Sequence, residues 1–232
     1  MIDFYYWPTP NGRKVSIMFE ETGLAHQLKP VNITRGEQFD ADFLAINPNH
    51  KIPAIADGDG PGGEALTLFE SGAILEYLAK KSGRLLPSDE RGQWITKQWL
   101  MFQMGNIGPM FGQQGHFVIY AREKVPYAID RYSKEVGRLL DVMNGRLRDV
   151  AYLAGADYTI ADVATYPWIA TFERRNVDIA EFPHVARWLD AVAARPAVQR
   201  GMAVMADSDR SGDPDKEHLE AYFGDQQYQR RS

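Results

Sequence analysis

The feature that most limits the folds open to this chain is a change of periodicity near residue 87. Before it, short β-type runs alternate with helical ones. From about residue 89 the pattern is helical almost to the end, with capping signals and no strand runs. Such a chain is neither all-β nor all-α throughout. It calls for a small α/β domain followed by an all-α bundle, and 232 residues suffice for two such units. The expected division is 1–86, 89–206 and a polar tail over 207–232. The tail carries one short apolar patch, Leu219 to Phe223, and is expected to be loosely ordered.

Within the first unit, the aromatic-rich run Ile2 to Trp7 reads as a strand stopped by Pro8-Thr9-Pro10-Asn11-Gly12. Val15, Ile17, Met18, Phe19 and Leu24 then fall near helical spacing, with Gly23 suited to the helix end. Strands are expected over Gln27–Asn32, Ala54–Asp57 and Ala65–Phe69, and a short helix over Phe39–Ile46. A helix over Ala73–Lys81 follows Glu70-Ser71-Gly72 and ends at Gly83. The first two strands can be parallel through a helical crossover. In the second unit the clearest start signal is Thr159-Ile160-Ala161-Asp162, a hydroxyl and a carboxylate three residues apart that form a structural capping box.

Composition removes several classes of function. The net charge is −5 with no run of five like charges, so neither nucleic acid nor an anionic membrane is an expected partner. The stretch Gln98 to Ala121 lacks Asp, Glu, Lys and Arg, but its glutamines, Asn106, His116 and Pro109 make it too polar for lipid. No basic and apolar leader opens the chain, so a cytoplasmic location is expected. With no cysteine there is no disulfide framework, no thiolate metal site and no protein-borne thiol nucleophile. Any sulfur chemistry must use a sulfur brought by a ligand. His26, His50, His116, His184 and His218 show no metal-ligand spacing, and no metal is expected.

Three loops carry candidate chemistry. Ile52-Pro53 reads either as an ordinary trans turn or as a cis peptide that frees the Ile52 backbone to pair with an extended peptide. Glu70-Ser71-Gly72 reads either as a plain helix cap or as a clamp for an amino-acid headgroup. In the second case the helix N-terminus and the Ser71 hydroxyl take the carboxylate while Glu70 takes the ammonium. Thr9 and Asn11 read either as turn residues or as hydrogen-bond donors to a thiolate at a helix N-terminus.

Taken together, Thr9-Pro10-Asn11-Gly12, then Asn47-Pro48-Asn49-His50-Lys51-Ile52-Pro53-Ala54, then Phe69-Glu70-Ser71-Gly72-Ala73-Ile74 resemble the thioredoxin-like domain of a glutathione transferase. The capping box lies where that family's helical domain carries one, and the resemblance covers residues 1 to 205. Thr-Pro-Asn-Gly, Phe-Glu-Ser-Gly-Ala-Ile and the segment Pro126 to Tyr132 resemble the nu class, whose bacterial members are glutathione-dependent disulfide-bond oxidoreductases related to a fungal prion-forming regulator.

The resemblance implies an N-terminal thioredoxin-like glutathione-binding domain, a C-terminal helical bundle and a homodimer. It implies that Ile52, before a cis Pro53, pairs with the cysteinyl part of glutathione. Glu70 and Ser71 would hold the γ-glutamyl headgroup, Gln38 and His50 would meet the remaining polar groups, and Arg131 would reach a carboxylate of a second glutathione. Thr9 and Asn11 would act at the sulfur, with Asn11 also a binding residue. Many relatives place Tyr, Ser or Cys at the first turn, whereas this chain has Thr9; Tyr5 and Tyr6 lie early, inside the strand, and read as core aromatics. That favours thiol–disulfide exchange, with weak transferase or peroxidase activity beside it. Conjugation of electrophiles, cleavage of aryl ethers and non-catalytic glutathione binding by a regulatory protein are the alternatives.

Two further expectations concern the helical unit. Gly105, Gly108, Gly112 and Gly115 share a helix face, which either leaves room for the second half of glutathione disulfide or serves close helix packing or a dimer seam. Trp94, Trp99, Trp168 and Trp188 are expected in the core.

Overall fold

A computed structural model of the protein describes residues 1–209 and 216–229. Strand β1 (Ile2–Tyr6) turns Ile2, Phe4 and Tyr6 inward. Helix α1 (Pro10–Thr22) starts with proline, whose missing N–H costs nothing there. It ends at Gly23, whose φ of 70° is the left-handed conformation that glycine adopts without strain. Strand β2 (His26–Pro30), helix α2 (Ala41–Ile46), strands β3 (Ala54–Asp57) and β4 (Leu66–Phe69) and helix α3 (Ser71–Ser82) complete the first unit. The sheet order is β2-β1-β3-β4, with β1 and β2 parallel and the other pairs antiparallel. Residues of α1 and α3 pack with β1 in the main core, and a smaller cluster of Trp7, Val31, Phe43, Ile52 and Ala54 includes α2.

The helical unit follows as α4 (Glu90–Phe102), α5 (Gly108–Gly115), α6 (Pro126–Asp149), α7 (Ile160–Ile169), α8 (Pro183–Ala193), α9 (Pro196–Ala203) and α10 (Lys216–Phe223). Helix α4 runs into α5 through a wider π-helical turn, Gln103–Ile107. There the Gly108 N–H reaches back to Gln103 O, and the wider turn lets the helix pass Pro109, which has no N–H to give. None of the helices among the described residues is long and apolar enough to cross a membrane.

Two features set the geometry between the units. The capping box is formed: buried Asp162 accepts from Thr159 N (3.0 Å) and, beyond the cap, from Leu153 N and Trp188 Nε1, both at 2.9 Å. Burial raises the Asp162 pKa, the hydrogen bonds opposing that rise. Helix α1 is gripped by the helical unit, packing on α7 and α9 as well as on α3. At Gly201 a Cβ would fall 2.5 Å from the Ile17 Cα, so only glycine lets α9 approach α1 this closely. The N-terminus of α1 therefore sits where the units meet.

Two expectations are corrected and one pair of alternatives is narrowed. Of the two readings of the glycine face, close packing holds at Gly112, where Trp168 lies 3.7 Å from the place a Cβ would take, and at Gly115, where the Arg175 guanidinium fills the space, whereas nothing among the described residues lies within 4 Å of a Cβ at Gly105. Of the four named tryptophans, Trp99 and Trp188 are core, whereas Trp94 is 63% exposed and Trp168 is half-buried at the junction. The expected loose tail carries α10, whose Phe223 ring packs 4.6 Å from the His116 ring; this docking supplies order that eight isolated residues lack. Residues 210–215 and 230–232 of that tail lie outside the described residues.

Candidate functional site

The first turn positions Thr9 and Asn11 by two hydrogen bonds that leave donors to spare. Thr9 is the cap of α1, and its hydroxyl oxygen accepts the Gly12 N–H at 3.1 Å, leaving its own O–H to donate. Asn11 Oδ1 accepts from Trp168 Nε1 at 3.0 Å. An indole nitrogen can only donate, so the carbonyl side of Asn11 is committed to α7 and the NH2 group is left for a ligand. Tyr6 is fully buried, its hydroxyl donates to Val204 O at 3.0 Å, and burial pushes its pKa up. Tyr5 packs against Phe43. Both tyrosines are packing residues.

The second loop is held by Asn47, which donates to Lys51 O at 2.6 Å and accepts from Asn49 N at 2.9 Å. The Ile52–Pro53 peptide is cis. Gln38 is buried, and its Oε1 has no hydrogen-bond partner among the described residues. Thr9, Asn11, Gln38, His50 and Ile52 share one cleft of about 260 Å³. Its other wall is aromatic, from Tyr120 and Trp168 on the helical unit and Tyr222 and Phe223 on α10. A larger cavity of about 560 Å³, lined by Gln114, Arg175 and Phe182 among others, contains none of the loop residues.

The third loop lies beside that cleft rather than in its wall. Ala54 stands opposite Phe69 in the β3–β4 register, which brings the Ile52 and Ser71 ends of those strands to the same edge of the sheet. Glu70 is exposed and holds φ 69°, a conformation that costs a side-chain-bearing residue about 1–3 kcal/mol and is characteristic of functional sites. Ser71 is buried at the start of α3, and its hydroxyl accepts from Lys14 Nζ at 3.2 Å. Burial pulls the Lys14 ammonium down to about 7, opposed by the Glu70 carboxylate.

Arg131 is exposed on α6 and does not line the cleft of the single chain. The sequence reading missed Trp168, Tyr120, Tyr222, Phe223 and Lys14. The first four look like ordinary apolar positions, and a lysine in an amphipathic helix looks like surface; only burial among distant elements distinguishes them.

Such an arrangement can hold an extended peptide along the Ile52 edge, take a carboxylate at the head of α3 and place a sulfur at the head of α1. The dipole of α1 and the free donors of Thr9 and Asn11 would there favour a thiolate.

Residues 9–81 match the family description "Glutathione S-transferase, N-terminal domain", and residues 108–196 match "Glutathione S-transferase, C-terminal domain". The disulfide-bond oxidoreductase YfcG of Escherichia coli is 46% identical over 203 residues, covering 87% of this chain and 94% of that protein. A glutathione transferase of Burkholderia graminis, solved with two glutathione molecules per subunit, superposes with a TM-score of 0.84 at 48% identity, covering 87% of each chain. One from Pseudomonas putida, solved with one glutathione disulfide per subunit, superposes at 0.85 with 46% identity, covering 88% of this chain and 91% of that one.

Proposed function

Because the chain belongs to the glutathione S-transferase family, we propose that its cleft binds glutathione and that the protein is a glutathione-dependent disulfide-bond reductase. The observation that carries this reading is the convergence of Thr9, Asn11, Gln38, His50 and Ile52 on one cleft with no cysteine in the chain, so the reacting sulfur is the ligand's. The name of YfcG and the glutathione and glutathione disulfide bound by the two structural relatives support it.

In the proposed reaction the bound glutathione thiolate, held by the Thr9 hydroxyl and the Asn11 amide, attacks one sulfur of a substrate disulfide. A glutathione–substrate mixed disulfide forms, and the other substrate sulfur leaves as a thiolate that takes up a proton. A second glutathione thiolate attacks the glutathione sulfur of the mixed disulfide, forming glutathione disulfide and releasing the second substrate thiol. The net change is two glutathiones oxidised and one disulfide reduced to two thiols. Glu70 and Ser71 take the γ-glutamyl headgroup, Gln38 and His50 the remaining polar groups, and Arg131 the carboxylate of a second glutathione. The protein supplies position and thiolate stabilisation. A homodimer is part of this reading, in keeping with exposed Trp94 and Met101 on α4 and Phe69 on β4.

The test is reduction of a small model disulfide by glutathione, coupled to reduction of glutathione disulfide, alongside conjugation of an aryl halide. Disulfide turnover exceeding conjugation, and falling in Asn11→Ala, is the expected result. Glutathione binding without disulfide turnover would overturn the reductase reading.

A further inference from the structure

Lys14 lies on α1, 57 residues from Ser71 and 89 from Gln103, yet its Nζ reaches both: Ser71 Oγ at 3.2 Å and Gln103 Oε1 at 2.8 Å. Its third neighbour is Met104 Sδ at 4.0 Å. The side chain is fully buried, whereas lysine ends are ordinarily in water because burying an ammonium is costly. Nothing in the thiol chemistry uses it. The Ser71 hydroxyl, receiving a hydrogen bond from Lys14, gives its own proton, among the described residues, to Met104 Sδ at 3.8 Å, a weak acceptor readily exchanged for an oxygen anion.

Resting on the glutathione reading above, we propose that Lys14 is a positioning residue for the carboxylate subsite at the head of α3. Its ammonium donates to Ser71 Oγ from behind, leaves the Ser71 proton for the incoming γ-glutamyl α-carboxylate, and is held charged by proton uptake when that carboxylate arrives.

Burial, partly opposed by the Glu70 carboxylate, brings the Lys14 ammonium pKa down to about 7. A second negative charge close to Ser71 pulls the ammonium back toward its charged form. The surrounding charges leave this effect to the ligand. Among the groups on elements packed against α1, Asp162 on α7 is held by Leu153, Thr159 and Trp188. Near and on α9, Arg195 and Arg200 pair with Glu21 and Glu20 of α1 itself, and Arg13 pairs with Asp209. Glu70 at α3 is the charged group that acts on Lys14.

The decisive measurement is calorimetry with S-methylglutathione, which has no thiol to ionise, in buffers of differing ionisation enthalpy. At pH 6 Lys14 is already charged and binding should exchange almost no proton; at pH 8 most of a proton should be taken up. Affinity should fall nearly tenfold between those values as the free ammonium is lost. The S-methyl analogue with 4-aminobutyrate in place of the γ-glutamyl residue keeps the amine, lacks the carboxylate, and should bind without uptake. Both experiments use the unaltered protein, so a misfolded variant cannot obscure the result. In Lys14→Met the uptake should vanish and affinity at pH 6 should drop roughly tenfold. Binding of S-methylglutathione with equal proton exchange at pH 6 and pH 8, or with uptake unchanged in Lys14→Met, would overturn the role of Lys14 and leave glutathione binding intact. Absence of any binding would overturn the glutathione reading and this inference with it.

Discussion

Replacing Thr9 should separate two roles of one hydroxyl group. Its oxygen accepts the Gly12 N–H at 3.1 Å and caps α1, while its proton is left to donate toward the cleft. Losing an N-cap hydroxyl costs about 1 kcal/mol of stability. Losing a hydrogen bond to a charged group costs about 1.5–3 kcal/mol, which is roughly 10–100-fold in rate if the charge is the reacting thiolate. Thr9→Ala should therefore lower both the urea unfolding free energy and kcat/KM for a model disulfide by these amounts. Thr9→Ser keeps cap and donor and should change each only slightly. Thr9→Asp keeps an acceptor for Gly12 N–H but has no proton to give and adds a negative charge beside the sulfur. It should leave stability within about 0.5 kcal/mol of the parent and reduce turnover at least as much as Thr9→Ala. The thiol limb of its pH–rate profile should also move upward, because the thiolate has lost a donor and gained a like charge. A Thr9→Asp protein as active as the parent, or a Thr9→Ala protein that loses stability alone, would refute the assignment of the hydroxyl proton to the sulfur.

Three further outcomes concern the scaffold. Asp162→Ala strands the N–H groups of Leu153, Thr159 and Trp188 in the core and should cost about 3–9 kcal/mol in urea unfolding, at about 1–3 kcal/mol per stranded donor; Asp162→Asn, which keeps one carbonyl oxygen, should cost less than half as much. Gly201→Ala drives a methyl group into the Ile17 backbone and should destabilise by about 1–3 kcal/mol, read as a lowered thermal midpoint. Lys14 titrates from its usual 10.5 down to about 7 in the fold, so below pH 7 its buried charge opposes folding by up to about 5 kcal/mol. Above pH 7 the folded protein releases that proton while the unfolded chain keeps it, so this opposition fades as pH rises toward 10. Lys14→Met should accordingly raise the urea midpoint most at pH 6 and least at pH 9.

What the sequence determined by itself was local or compositional. The cap at Thr159, the stop at Gly23 and the change from mixed to helical patterning depend on residues within a turn or two of one another, and the structure forms them where the pattern puts them. The lack of cysteine excluded a thiol nucleophile of the chain's own before any geometry was known. Tertiary structure decided everything that joins distant segments. Trp168 lies 157 residues from Asn11 and fixes which way its amide faces, and Lys14 reaches Ser71 and Gln103 from a helix position that reads as surface. The glycines of α5 read equally as room for a ligand or as a packing face, and only the fold shows that Gly112 and Gly115 admit Trp168 and Arg175. A cap needs only the chain beside it, whereas a cleft wall, a buried ammonium or a filled groove depends on which helices pack together and how closely, a property of the whole core that no short stretch of sequence carries.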